Sequence, residues 1–317
     1  MPTPTIRVLV HGAIAFMALG VSVMVHTATA KDLAGLIDVG SGRSLYLACR
    51  GKGAPTVVLI SGGWEAGWIW TYALPPNDPV QALPYDAFSG GEGKPQKLDA
   101  AVFPSVATFT RVCLYDRPNT TIGEDIELER GGTVTTPVSQ PHALSDDLNA
   151  LLTAGGENGP FVLVGHSYGG LIVELFARTY PQDVAGEVLV DVTSVYLRDT
   201  FTPEEYADML KTTSVPVAKG QEALGIGDGI DAILSLPPAP QMPVVLLTAD
   251  KLAKDAIQTR KVELLEAHDR LAKQLDARHL IETRSGHHIH VEQPQLVTEA
   301  IRAVVDAVRA GKQRITR

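Results

Sequence analysis

Short apolar runs alternate along the chain with stretches in which apolar residues recur every three or four positions. Strand-like runs occur at residues 44–50, 55–63, 110–118, 160–167, 184–194, 241–250 and 279–292. Helix-like spacing occurs at residues 143–156, 168–181, 255–277 and 295–312. Continuous β-branched runs are typical of strands buried on both faces, and such strands alternating with helices build parallel sheets. The pattern predicts an α/β domain with helices on both faces of a mostly parallel sheet.

Two segments break this alternation. Residues 71–104 are rich in Pro, Gly, Asp and Ala, which predicts a long surface loop. The pattern over residues 195–240 predicts a short helical insertion, and a proline-rich stretch leads from it back to the next strand-like run. Because long excursions from a compact fold are often lids or binding loops, we expect the second segment to act as a lid or cap.

The N-terminus has the layout of an export signal. One cation, Arg7, precedes an apolar run over residues 8–25, and a small-x-small pattern ends at Ala30. This layout predicts a signal peptide over residues 1–30, cleaved near Ala30 to leave an exported domain of residues 31–317. A histidine and a serine interrupt the apolar run, which makes it marginal as a stable membrane span. An uncleaved N-terminal anchor is the alternative.

Composition narrows the class of protein without identifying it. The 317 residues are 45% hydrophobic and 20% charged, which is typical of a globular domain. The net charge of −9 and the lack of a basic run argue against nucleic acid as a partner. The two cysteines, Cys49 and Cys113, either pair in an oxidising compartment or remain small buried thiols.

The candidate chemistry centres on residues 165–169, GHSYG, which match the pattern Gly-x-Ser-x-Gly. The pattern stands between a strand-like run and a helix-like run, which is the context it requires. A serine on so tight a turn projects its hydroxyl from the sheet edge, and the flanking glycines avoid side-chain collisions. The sequence therefore predicts that Ser167 is a nucleophile.

A serine nucleophile needs a base, usually a histidine oriented by a carboxylate. Residues 279–292 hold the last strand together with its loop, and His287 follows Ser-Gly directly after that strand, so we expect it to be this base. Three histidines within four residues also suggest a metal site. However, no compact cluster of Asp, Glu or Cys accompanies them in the sequence, so we expect no metal.

An oxyanion hole needs two backbone N–H donors. One would be Tyr168, which follows the nucleophile. The loop SGGW at residues 61–64 would supply the other, because its glycines let the backbone approach a ligand. Gly63 is the favoured donor and Trp64 the alternative, although an ordinary glycine turn would explain the same residues.

These motifs resemble the α/β-hydrolase superfamily over residues 36–312. The landmarks come in the family's order: SGGW, YDRP, GHSYGG and SGHHIHVEQPQLV. The patterns C-x-G…VVL-x-SG, VC-x-YDRP and SGH-x-I are similar to those of exported serine hydrolases of actinobacterial type. The resemblance implies a mostly parallel eight-stranded sheet flanked by helices, with segment 195–240 as a small helical lid.

Two positions depart from the family pattern. Ser61 replaces the usual histidine of the oxyanion loop, which changes a side chain and leaves the backbone donors in place. Asn119 replaces a common glycine after YDRP. Because asparagine tolerates left-handed backbone angles, we expect the turn to survive.

The resemblance leaves the triad acid open. One family position follows the sixth strand, and Asp191 stands there, 24 residues after Ser167. The other follows the seventh strand, where Asp250 falls two residues short of the usual place. We favour Asp191, with Asp250 as the alternative and Asp255 or another residue as the remaining candidate.

The resemblance also bears on the cysteines. In this fold the strands that carry Cys49 and Cys113 are neighbours, about 5 Å apart, which is within reach of a disulfide. Such a bridge would close a loop of about 64 residues and contribute on the order of 4 kcal/mol in the chain-entropy description. A disulfide between them is therefore implied.

The implied activity is that of a cofactor-free serine hydrolase that cleaves carboxylic esters through an acyl-enzyme on Ser167. Its substrate would be a small-molecule or lipid ester in a pocket bounded by Trp64 and Trp68. Perhydrolysis, or hydrolysis of amide or C–C bonds, fits the same triad, and a non-catalytic lipid- or ligand-binding protein would keep the fold. Epoxide hydrolases and haloalkane dehalogenases are less favoured, because those relatives use aspartate as the nucleophile.

Overall fold

Eight strands form one sheet in the part of the chain that the computed structural model describes, which is residues 1, 31–120, 138–216, 222–252 and 258–315. The predicted signal peptide over residues 1–30 lies outside this part, except for Met1. The strands are β1 Leu33–Gly40, β2 Arg43–Arg50, β3 Val57–Ile60, β4 Val112–Tyr115, β5 Phe161–His166, β6 Val184–Val190, β7 Val244–Leu247 and β8 Arg278–Leu280.

The order of the strands across this sheet is β1-β2-β4-β3-β5-β6-β7-β8. β2 pairs antiparallel with β1 and β4, and the remaining neighbours in the sheet are parallel. Parallel neighbours need crossover connections long enough to hold a helix. The predicted α/β class, with a mostly parallel eight-stranded sheet, is confirmed.

Helices cover both faces of the sheet, and one hydrophobic cluster lies on each face. The helices are α1 Val102–Val106, α2 Pro141–Ala154, α3 Gly169–Thr179, α4 Leu197–Thr200, α5 Pro203–Thr213, α6 Ile226–Ser235, α7 Gln258–Gln274, α8 Ile289–Glu292 and α9 Pro294–Arg309. The described parts of segment 195–240 hold α4, α5 and α6, which fits the predicted helical insertion, and its action as a lid stays a prediction. None of the described helices has both the length and the hydropathy needed to cross a membrane.

Segment 71–104 is largely irregular, as predicted, but part of it is not surface. Leu74, Val80 and Ala87 are buried. The N–H of Leu74 donates to the carbonyl of Val291 at 2.9 Å. The predicted surface loop is therefore packed against the chain that follows β8.

Cys49 and Cys113 face each other across β2 and β4 and form a disulfide. Both are fully buried. The bridge links positions 64 residues apart, which in the chain-entropy description stabilises the fold by about 4 kcal/mol. The disulfide implied by the family resemblance is therefore present.

A carboxyl group lies inside the core, where no described residue forms a hydrogen bond with it. The side chain of Glu187 in β6 is fully buried, and neither of its oxygens has a hydrogen-bond partner among the described residues. Burial raises the pKa of Glu187 to about 8, with a further increase from the charge of Glu174 and an opposing effect of Arg178. Glu187 is therefore mainly protonated at neutral pH.

Replacing Glu187 by glutamine is expected to flatten the pH dependence of stability. Because folding raises the pKa of Glu187 from 4.5 to about 8, its stabilising contribution is complete at acidic pH and falls as the pH rises through this window. The free energy of unfolding of the native chain should fall by about 1.4 kcal/mol per pH unit relative to the Gln variant. Urea unfolding of both proteins between about pH 5 and pH 8 measures this difference. Parallel stability curves would contradict the assignment.

Candidate active site

Ser167 occupies the tight turn between β5 and α3. Its φ angle is +51°, in the left-handed region that few residues other than glycine adopt. A Cβ atom at Gly169 would lie 2.5 Å from the carbonyl oxygen of Ile60, so only glycine fits there. This is the strained turn that the Gly-x-Ser-x-Gly pattern predicts.

His287 and Asp191 are in direct contact. His287 Nδ1 lies 2.6 Å from Asp191 Oδ2, and Oδ1 accepts the N–H of Ala249 at 2.8 Å. Asp191 directly follows β6, and His287 lies in the loop between β8 and α8. Both line one cavity together with Ser167. The structure thus brings together the expected nucleophile, the expected base and the favoured acid.

Charge and hydrogen bonding set the protonation of this pair. Burial lowers the pKa of His287, but the hydrogen bond and charge of Asp191 outweigh it and raise the pKa above its ordinary value. Burial raises the pKa of Asp191, but the hydrogen bond and charge of His287, with the charge of His268, bring it below its ordinary value. Asp191 therefore stays ionised at neutral pH and can stabilise an imidazolium.

The alternative acid, Asp250, has a different position. Its Oδ1 accepts the N–H of Ser285 at 2.9 Å and lies 3.4 Å from the hydroxyl of Thr283. Its own N–H donates to the carbonyl of Ser285 at 3.1 Å. These bonds fix the loop that leads to His287. The remaining candidate, Asp255, lies outside the described residues.

The backbone of His287 is held from two sides. Its N–H donates to Asp86 Oδ2 at 2.9 Å, and its carbonyl accepts from His166 Nε2 at 3.0 Å. Asp86 belongs to segment 71–104, and its own N–H donates to the carbonyl of Leu252 at 2.7 Å. The imidazole is therefore positioned through both its side chain and its backbone.

Arg117, in the YDRP motif, holds the predicted oxyanion loop. Its guanidinium donates to the carbonyl of Ser61 at 2.7 Å and to that of Gly62. In a trans peptide the C=O and N–H point in opposite directions, so the bond to Gly62 directs the N–H of Gly63 away from Arg117. Gly63 lines the cavity, and a Cβ atom there would overlap Leu224.

Glu222 pairs with this guanidinium in a fully buried ion pair. Arg117 Nη2 lies 2.8 Å from Glu222 Oε1, which also accepts the backbone N–H of Trp64 at 2.6 Å. The indole N–H of Trp64 donates to the carbonyl of Glu222 at 2.9 Å. The backbone N–H of Trp64, the alternative oxyanion donor, is thus already hydrogen-bonded to Glu222, which favours Gly63 as the donor. Tyr168, the other expected donor, stands at the start of α3 and lines the cavity.

The cavity has a volume of about 380 Å³, within the range of small-molecule sites. Much of its wall is apolar and comes from segment 195–240, through Leu197, Phe201, Met209, Leu224 and Ile226. Trp64 lines it, as expected. Trp68 does not belong to the described lining. It packs edge-to-face on Tyr72 with ring centroids 4.9 Å apart.

Sequence reasoning missed three carboxylates that support the site: Glu65, Asp86 and Glu222. Each contacts a motif that lies far away along the chain. Glu65 Oε1, for example, lies 2.7 Å from His288 Nε2, and the two residues are 223 positions apart in the sequence. Each stands outside any local motif, so in the sequence it looks like an ordinary solvated acid. Only the tertiary fold reveals these contacts.

Comparisons with known proteins bear on the family. A model of the alpha/beta hydrolase family matches residues 57–222, just over half of the chain. The curated protein named "Probable transporter efuK" of Hormonema carpetanum is 25% identical over 174 residues, 53% of this chain and 20% of its own length. An uncharacterised protein of Schizosaccharomyces pombe is 33% identical over 157 residues, 48% of this chain and 26% of its own length. The chain thus spans about a fifth to a quarter of the curated relatives it matches.

Solved structures resemble the chain at low sequence identity. An N-acyl homoserine lactone degrading enzyme has a TM-score of 0.54 and 16% identity, over 84% of this chain and 99% of that one. A protein described as an aryl esterase from Burkholderia cenocepacia has a TM-score of 0.51 and 15% identity, over 88% and 100%. A variant of a protein described as an epoxide hydrolase from Pseudomonas aeruginosa has a TM-score of 0.58 and 16% identity, over 88% and 97%. These likenesses establish the fold alone.

Proposed function

Because the chain belongs to the alpha/beta hydrolase family, we propose that it is a serine hydrolase that cleaves carboxylic ester bonds. One observation carries this proposal. A single cavity is lined by Ser167 on its strained turn and by His287, whose Nδ1 lies 2.6 Å from Asp191. Nucleophile, base and acid in this arrangement perform acyl transfer on several unrelated folds.

In the first half of the reaction, Ser167 Oγ attacks the carbonyl carbon of the ester. His287 Nε2 takes the hydroxyl proton, while Asp191 stabilises the imidazolium at Nδ1. The carbonyl oxygen becomes an oxyanion, bound by the N–H groups of Gly63 and Tyr168. The ester C–O bond then breaks, the imidazolium gives its proton to the departing alcohol, and the acyl group stays on Ser167.

In the second half, water attacks the acyl-enzyme and His287 acts as the base again. The proton then returns to Ser167 Oγ as the carboxylic acid leaves. Only the neutral imidazole takes a proton, so turnover is lost as the pH falls below the pKa of His287, which Asp191 raises against the effect of burial.

The apolar wall favours esters with an apolar acyl or alcohol part. Leu197, Phe201 and Met209 line the cavity, and each CH₂ group buried there stabilises a bound substrate by about 0.8 kcal/mol. Small-molecule and lipid esters both provide such groups. Segment 195–240, which supplies these side chains, would act as the lid over the bound ester.

We also place the protein in an exported, oxidising location. The buried disulfide between Cys49 and Cys113 supports this, because such bonds persist outside the reducing cytosol. The apolar N-terminal run would direct export, with cleavage near Ala30.

Fluorophosphonate labelling and ester turnover test the proposed function together. The probe should form an adduct on Ser167, and p-nitrophenyl esters from acetate to palmitate should be hydrolysed, with apolar acyl chains preferred. Labelling of Ser167 without ester turnover would assign the triad to another acyl or C–C bond reaction. Folded protein that is not labelled would overturn the nucleophile assignment.

Replacing Arg117 by lysine is expected to lower kcat about 10- to 100-fold, with KM changed less than about threefold. The guanidinium makes four hydrogen bonds from three nitrogens, to Ser61, Gly62 and both oxygens of Glu222. An ammonium has three N–H donors on one nitrogen and cannot keep all four, so the N–H of Gly63 loses its fixed direction. Steady-state kinetics on a p-nitrophenyl ester measures the effect. Arg43→Lys is the matched control, because Arg43 pairs with Asp147 outside the cavity lining. Equal losses in both variants would contradict the role of Arg117.

A further inference from the structure

A second cluster of ionisable side chains lies beside the triad and takes no part in the proposed reaction. It consists of Glu65, His166 and His290, and is named the His-Glu cluster here. One possible ligand atom of each residue lies within 4.8 Å of those of the other two. The residues come from three separate parts of the chain, which are the loop after β3, the end of β5 and helix α8.

The hydrogen bonds of His166 leave one contact unexplained. Its Nε2 lies 3.0 Å from the carbonyl oxygen of His287, so Nε2 carries the hydrogen. In the neutral ring Nδ1 is then a lone pair, yet it lies 3.1 Å from Glu65 Oε2, which is also an acceptor. A cation between the two acceptors resolves this conflict.

His290 supplies a further possible ligand. Its side chain is fully buried, and neither ring nitrogen has a hydrogen-bond partner among the described residues. Its ring centroid lies 4.4 Å from that of His166 and 4.4 Å from that of Trp70. A buried polar group that lacks a partner destabilises the folded state, and a metal ion would satisfy one of these nitrogens.

We propose that the His-Glu cluster binds one Zn²⁺-class ion through His166 Nδ1, one ring nitrogen of His290 and the Glu65 carboxylate. Two imidazoles and a carboxylate form a ligand set suited to Zn²⁺, whereas Mg²⁺ and Ca²⁺ prefer oxygen ligands. The surroundings match such a site. Histidine ligands commonly donate their other N–H to a backbone carbonyl, as His166 does to His287, and the N–H of Gly62 donates to Glu65 Oε2 at 3.0 Å.

The size of the cluster fits this ion closely. Ligands about 2.1 Å from Zn²⁺ lie about 3.4 Å from one another in a tetrahedron. The distance from His166 Nδ1 to Glu65 Oε2 is 3.1 Å, and all the ligand atoms lie within 4.8 Å of one another, so shifts of about 1.4 Å or less bring them to this spacing. Glu65, with 17% of its side chain exposed, is the ligand best able to move. It lines the cavity with His166, which gives the ion a route from solvent.

Zinc in this cluster would inhibit the triad. The ring centroids of His166 and His287 are 4.6 Å apart. A dication bound to His166, whose ring lies next to that of His287, opposes the positive charge that His287 gains in the transition state. This consequence rests on the proposed function, whereas the binding site itself does not.

Calorimetric titration of the chelator-stripped protein with ZnCl₂ tests the site. One ion per chain should bind, and MgCl₂ should not compete. His290→Gln and Glu65→Gln should each weaken Zn²⁺ binding by about 100-fold or more. His142→Gln, which removes an exposed imidazole from α2, is the matched control and should bind as the native chain does. Lack of saturable binding by the native chain, or undiminished binding by the two cluster variants, would overturn the proposal.

Folding checks on each variant and a zinc titration of the Ser167→Ala variant make the binding test decisive. Circular dichroism and thermal unfolding verify the fold of each variant, and Glu65→Gln, at a partly exposed side chain, decides the matter if His290→Gln does not fold. Ser167→Ala should bind Zn²⁺ as tightly as the native chain, so the site is tested even if the proposed reaction is wrong. If the reaction is right, ZnCl₂ should suppress ester turnover reversibly, and EDTA should restore it.

Discussion

Replacing Ser167 by alanine is expected to lower kcat for a p-nitrophenyl ester on the order of 10⁶-fold, with little change in KM. The substitution removes the one atom that forms the acyl-enzyme. It leaves the cavity and the oxyanion donors in place, so a residual rate of about 10³-fold over the uncatalysed reaction should remain. Steady-state kinetics, supported by loss of fluorophosphonate labelling, measures the effect.

Ser285→Ala is the matched control for this prediction. Ser285 is fully buried in the loop before His287, and its hydroxyl donates to the carbonyl of its own neighbour, Gly286, at 3.0 Å. Loss of the Ser285 hydroxyl should change kcat less than about tenfold, because this hydroxyl takes no part in the proposed reaction. Comparable losses in the two serine variants would show that the large effect comes from disturbed structure.

Replacing Asp191 by asparagine is expected to lower kcat about 10⁴-fold, whereas Asp250→Asn should change it less than about tenfold. An asparagine amide can present an N–H to His287 Nδ1, which favours the imidazole tautomer with its proton on the wrong nitrogen. Asp250 bonds the backbone of Ser285 at 2.9 Å, so its replacement alters the loop and not the tautomer. The two kcat values distinguish the candidate acids, and small, equal losses would exclude both.

The pH profile gives an independent measure of the same contact. Burial lowers the pKa of His287 and Asp191 raises it above its ordinary value, so removing the carboxylate should lower it. The acidic limb of the residual activity of Asp191→Asn should therefore move to lower pH. If the acidic limb of the Asp191→Asn profile lies at the same pH as that of the native enzyme, another group orients His287.

The order of buried runs was enough to predict the α/β class, because parallel strands buried on both faces are continuous apolar runs bounded by glycine or proline. The number of strands came from the family resemblance. The sequence of β1 lacks such a continuous apolar run, so this strand was not predicted from the pattern of apolar residues. It lies at the sheet edge, and its residues alternate between partly buried and exposed positions. Asn119 adopts φ +63°, so the expected left-handed turn after YDRP is present.

The candidate site was predictable where its chemistry depends on local geometry. The turn at Ser167 requires glycines at fixed spacing, and that spacing is visible in the sequence. The carboxylate partner of His287 could not be chosen from spacing alone, because both aspartates follow strands that end at the same edge. The proximity of Glu65 to His290 could not be predicted from the sequence, because only the packing of separate segments brings the two residues together.

The packing of segment 71–104 limits where this chain can be cut and rejoined. Exposed loop tips usually tolerate new termini, as in circular permutation. Asp86 is different, since it is buried and bonds the backbone N–H of His287 at 2.9 Å. A break beside it would release the imidazole from one of its supports without touching the cavity. The exposed turn at residues 40–42 has no such link and is the better place to open the chain.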